Sequence, residues 1–228
     1  MRVIAVIVLF AAMLAPAAAQ QTAQQTAPAL DPAVARAQTD ELIARAGGAD
    51  IFENASQNGS IEIRHKATGF ICTFGSAAES RVDILPNRPR GEDIACHSTE
   101  MGATISMYLT RFPAPITLDQ AFQSYLAEIR YVHPDAKPAE GAFGDMSPEI
   151  KPGEPDFPPH KSARLTFAAN GGQAFSRLSV AKVNDWVIEQ RITGQAENPL
   201  ALDLLGELIM MASINGLADG LAPTPKAN

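Results

Sequence analysis

The sequence predicts an α+β fold, an antiparallel β-sheet with helices packed against it, and three observations carry that prediction. Short runs in which apolar and polar residues alternate are separated by turn residues, the pattern of half-buried antiparallel strands. Two longer stretches instead carry apolar residues at helical spacing. The elements also come in the order helix, several strands, helix, long loop, three-stranded meander, helix, with no internal repeat.

The chain of 228 residues opens MRVIAVIVLFAAMLAPAAAQ. Arg2 precedes an apolar run over residues 3–14, followed by Pro16 and the small residues Ala17, Ala18 and Ala19. That order predicts a secretory signal peptide over residues 1–19, cleaved after Ala19. The run is shorter than the roughly 20 residues a bilayer span needs. No cysteine follows it to take a lipid, no twin arginine precedes it, and no later apolar run approaches spanning length. The expectation is a soluble periplasmic protein with no membrane span and no lipid anchor. Residues 20–30 are Gln/Thr/Ala-rich and read as a flexible leader.

Asp31 and Pro32 place an N-cap and a first-turn proline at the head of a helix that Gly47 and Gly48 end. Its apolar face is thin (Val34, Leu42, Ile43), which predicts loose packing of this 31–48 segment on the single α+β domain at 50–218. SIEIRHK, GFICTF and RVDILP read as strands, and ATISMYLTRF is the clearest one, with Ile105, Met107 and Leu109 on one face. In TLDQAFQSYLAEIRYVHP, Thr117 and Gln120 have capping-box spacing. There Leu118, Phe122, Tyr125, Leu126 and Ile129 form one stripe, and Pro134 ends the helix.

Residues 135–161 form an acidic connector with six prolines, a candidate lid or partner-binding loop against the plainer reading of a solvated loop. SARLTFAAN, AFSRLSVAKV and WVIEQRITG then make the meander. A last helix starts at Asn198-Pro199, carries Leu202, Leu205, Leu208, Ile209 and Ala212, and is expected to end at Asn215-Gly216. Residues 219–228 read as a flexible tail.

The strand ISMYLTRF, the helix ITLDQAFQSYLAEIR, the meander segments SARLTF and WVIEQRIT, and the closing MMASINGL together resemble the PsbP-like family of small exported α+β proteins. The resemblance covers roughly residues 60–217. It implies that fold, and a tendency toward non-enzymatic, accessory or assembly roles. The matching positions are packing positions, and the cysteine segment and the connector depart from the pattern, so no site residue is carried over.

Few residues carry a chemical signature. Cys72 and Cys96 are the only cysteines. In an oxidising compartment, without Cys-x-x-Cys spacing or a second metal-ligand pair, they predict a structural disulfide. The histidines His65, His97, His133 and His160 form no His-Glu-x-x-His motif. Ser179 and Lys182 spell Ser-x-x-Lys, but alternation along a strand points them to opposite faces, so the match reads as chance. Glu92 and Asp93 read as a solvated loop. Trp186, opening a meander strand, and His160, closing the connector, are the candidate binding residues, with core packing the competing reading of Trp186. No catalytic residue, metal ligand or cofactor is expected.

Without Arg2 the chain has 17 basic and 25 acidic residues, a net charge near −8. An acidic chain lacks the positive field that nucleic acid attracts. The expectation is therefore a non-catalytic binding or accessory protein whose partner is another periplasmic protein or a small ligand. The rival is a hydrolase assembled from distant residues near the connector. A histidine, a carboxylate and a nucleophile within hydrogen-bond reach in one pocket would favour the rival.

Overall fold

Helix α1 (Pro32–Arg45) begins where Asp31 and Pro32 place it: the Asp31 carboxylate accepts the N–H of Ala33 at 2.8 Å and that of Val34 at 3.3 Å. In the computed structural model, which describes residues 30–139, 159–169, 171–197 and 199–221, this helix is held tightly, not loosely. Ala35 and Thr39 are fully buried with Leu42, and the Thr39 hydroxyl bonds that of Ser56. Small residues, not large apolar ones, let the helix approach its support. The signal peptide, nearly all of the leader, connector residues 140–158 and the tail beyond Leu221 lie outside the described residues.

The strands form two antiparallel sheets. The smaller runs β1 (Phe52–Asn54), β2 (Ile61–His65), β3 (Ile71–Phe74) in that order. The larger has seven strands: β4 (Ser80–Ile84), β5 (Asp93–Glu100), β6 (Ala103–Arg111), β7 (Lys137–Pro138), β8 (His160–Ala169), β9 (Gly172–Val183) and β10 (Trp186–Gln195). Their spatial order is β4-β5-β6-β10-β9-β8-β7. The chain leaves β6 through α2 (Leu118–Val132), reaches the far edge at β7, and returns strand by strand until β10 pairs with β6.

The capping box at the head of α2 is present in full: the Gln120 N–H donates to the Thr117 hydroxyl, and the Gln120 side chain accepts from the Thr117 N–H at 2.9 Å. Phe122, Leu126 and Ile129 of this helix bury against Leu165, Leu178, Val180 and Val187 of the large sheet. Burying each such side chain stabilises by about 1.5–3 kcal/mol. On the opposite face of the sheet, Ile94, Met107, Leu109, Ile188 and Ile192 pack with the small sheet, α1 and the last helix, α3 (Pro199–Leu221).

Three features depart from the sequence reading. The stretch DIACHSTE is strand β5, paired on both sides, and Asp93 is buried in it, not in a solvated loop. Helix α3 does not end at Gly216 but continues to Leu221. Its glycines serve close approach: a Cβ on Gly220 would lie 2.0 Å from the carbonyl oxygen of Thr68, in the turn between β2 and β3. That extra length also overturns the expectation that no later segment reaches membrane-spanning length, because α3 is long and apolar enough to cross a bilayer. In this structure it lies on the large sheet, with Leu202, Met210, Ile214 and Leu217 buried.

Candidate functional site

What fastens α3 to the sheet is a buried charge cluster. Asp203, 2% exposed at its side chain, accepts from Arg177 Nη1 on one carboxylate oxygen and from Arg164 Nε on the other, each at 2.7 Å. Arg177 also donates to the Ser179 hydroxyl at 2.8 Å and pairs with Glu207. Gly206 makes room for this arginine, since a Cβ there would lie 2.7 Å from Arg177 Cδ. His160 belongs to the same cluster, with Nε2 3.2 Å from Glu207 Oε1.

Beside this anchor, α3 and the strands β2, β3, β5 and β6 line a half-open cavity of about 450 Å³. Its apolar walls come from Ile71 and Phe74, from Ile105 and Met107, and from Leu205 and Ile209 of α3. Cys72 and Cys96 also line it. Their sulfurs are at disulfide distance, with the Cα atoms 6.3 Å apart, and they tie the edge strand β3 to the large sheet. Glu62, Thr73, Ser98 and Glu100 supply its polar atoms.

A second cleft, of about 390 Å³, opens on the other face of the sheet beside α2. Sheet register puts Asp93, Thr110, Tyr108, Glu189 and Arg191 on this face, and α2 contributes Tyr125 and Glu128. Asp93 accepts from the Thr110 hydroxyl at 2.8 Å, Arg191 pairs with Glu189 and Glu128, and its guanidinium lies over the Tyr108 ring. Burial pushes the Glu189 carboxyl up to about 7, against the pull of Arg191, and burial raises Asp93 as well. Both Tyr125 and Tyr108 are raised, chiefly by burial.

The Glu189 shift has a measurable consequence. A carboxyl raised from 4.5 in the unfolded chain to about 7 in the fold favours the folded state fully only below the lower value, and that stabilisation is lost as pH rises through the upper one. The Glu189 contribution to folding stability is expected to fall between about pH 4.5 and 7, opposed by His65 and His97, whose lowered pKa values favour the fold as pH rises. Stability of the parent relative to Glu189→Gln should therefore fall across this range, and urea melts of the two proteins check it.

One further constellation lies on the same face. Ser106 sits between His97 on β5 and Arg191 on β10 in the sheet register. The Ser106 hydroxyl is 2.9 Å from His97 Nδ1, and His97 Nε2 is 3.4 Å from Asp83 Oδ2. Burial and the nearby Arg81 lower the His97 pKa, which favours the neutral ring. A serine, a histidine and a carboxylate of the kind the rival reading needs are thus within reach of one another, at the β4–β6 side of the sheet, whereas the described ends of the connector lie at its β7–β8 edge. Two features oppose catalysis there. Arg81 Nε holds the same Asp83 oxygen at 2.8 Å, and β6 is a central strand whose N–H groups serve the ladders on both sides, leaving none to cradle an oxyanion.

Of the residues singled out from the sequence, Cys72 and Cys96 come together and floor the α3 cavity. His160 joins the α3 anchor, and Trp186 is interior, its ring edge-on to His65 at 5.7 Å. Neither lines either cavity described above. Asp93, Glu189 and the α3 cavity were not foreseen. Glu189 stands in the polar phase of an alternating strand, a position the sequence reads as solvent-facing.

No family model matches the chain, and no curated protein matches it. Among solved structures it is similar to LpqN of Mycobacterium tuberculosis, described as involved in cell envelope biogenesis, at 12% identity and a TM-score of 0.29. That match covers 60% of this chain and 66% of the other, just under two thirds of its length. It is also similar to CalU16 of Micromonospora echinospora at 12% identity and a TM-score of 0.25, covering 59% and 87% of the two chains. These likenesses assign no function and do not establish membership of the PsbP-like family.

Proposed function

We propose that the protein is a non-catalytic extracytoplasmic binding protein that holds a small molecule with an apolar body in the cavity beneath α3. The observation that carries this reading is the cavity itself. At about 450 Å³ it lies within the roughly 300–1,000 Å³ typical of small-molecule sites, with mostly apolar walls and a few polar groups. The disulfide supports an oxidising compartment, and the signal-peptide pattern of residues 1–19 points the same way. Within the fold α3 acts as a core helix, because its buried Asp203 and half-buried Glu207 are matched to arginines of the sheet.

The test is fluorescence of an apolar probe, N-phenyl-1-naphthylamine, with the purified protein. Saturable enhancement is expected, and Ala212→Trp, which puts an indole at an exposed α3 position lining the cavity, should abolish it without lowering the melting temperature. Absence of saturable binding to the unaltered protein would overturn the proposal. The hydrolytic reading, favoured only by the Ser106–His97–Asp83 row, has its own discriminator. A fluorophosphonate probe is expected to leave Ser106 unlabelled, and stoichiometric labelling lost in His97→Asn would replace the binding reading with an enzymatic one.

A further inference from the structure

Resting on the reading of the α3 cavity as a binding site, we infer that its ligand is a single-chain amphiphile with a cationic head group. The apolar walls contributed by Ile71, Phe74, Met107, Leu205 and Ile209 suit a hydrocarbon chain. The volume, at the small end of the range for such sites, suits one chain better than two.

The head-group preference follows from the polar atoms. Two carboxylates, Glu62 and Glu100, line the cavity, and no lysine, arginine or histidine does so among the described residues. Glu100 is positioned at the end of β5 by the N–H of Gly75, which donates to its Oε1 at 3.0 Å. The Ser213 hydroxyl is already spent on the carbonyl of Ile209, at 2.8 Å. A carboxylate, sulfate or phosphate head would therefore meet two like charges and no cation, whereas an ammonium meets two acceptors. The whole chain, with a net charge of −7, favours a cation in the same sense.

Three amphiphiles with one common chain, each below its micelle concentration, separate the possibilities: dodecyltrimethylammonium, dodecyl maltoside and dodecyl sulfate. Calorimetric titration at low ionic strength is expected to give the cationic head about tenfold or more tighter binding than the anionic one, with the maltoside between them. In Glu62→Gln/Glu100→Gln the three should converge, and added salt should narrow the spread in the unaltered protein. Equal or tighter binding of dodecyl sulfate, or a preference that survives the double substitution, would overturn the head-group inference and leave the cavity reading intact. Failure of all three amphiphiles and of the naphthylamine probe would overturn both.

Discussion

Asp203→Ala is expected to destabilise the fold by about 3–5 kcal/mol, the usual cost of removing one partner from a buried ion pair. The carboxylate serves Arg164 with one oxygen and Arg177 with the other, and both arginine side chains are at least nine-tenths buried. After the substitution Arg177 keeps Glu207 and Ser179, but Arg164 keeps no carboxylate of this cluster. The midpoint of urea unfolding should fall with little change in slope. Replacing Arg164, Arg177, Asp203 and Glu207 together with apolar residues of similar volume should cost far less, because the penalty is the orphaned charge and not the lost attraction. A single variant as stable as the parent would show that the cluster does not anchor α3.

Removal of the disulfide by Cys72→Ala/Cys96→Ala is expected to cost about 3 kcal/mol for a loop with a sequence separation of 24. The effect on the cavity should be larger than the loss of stability alone implies. Strand β3 has four residues and lies at the edge of the small sheet, and this bond and α3 hold it to the large one. Naphthylamine binding should weaken in the double variant under conditions where circular dichroism still reports a folded protein. Thiol titration of the unreduced parent should find no free thiol. Two free thiols, or unchanged stability and binding in the variant, would contradict this account.

How much of this was legible in the sequence depended on whether the signal was local. Helix α2 was fully readable, since its capping box and its apolar stripe are properties of neighbouring residues. The cysteine pairing was readable because only two cysteines exist. Strand β5 was not: Asp93, Ile94, Ala95 and Cys96 are all buried, so the alternation that marks a half-exposed strand is missing. The end of α3 was misplaced because Gly216 looks like a stop, while the turn that needs Gly220 lies about 150 residues away in the chain. Glu189 and Arg191 occupy the polar phase of an alternating strand, which ordinarily means solvent, and only α2 and the sheet's return path enclose them. The α3 cavity arises from five elements that share no local pattern.

The position of α3 in the chain gives the anchoring cluster a temporal meaning. A polypeptide made from its amino terminus has every strand of both sheets available before the helix that neutralises Arg164 and Arg177 exists. Until then these guanidinium groups must stay hydrated, and the sheet face around them cannot close. Completion of the fold is therefore deferred to the last described helix. A chain interrupted before Pro199 is expected to remain open and protease-sensitive, with Arg164 and Arg177 lacking the Asp203 carboxylate, and limited proteolysis of the truncated protein checks this.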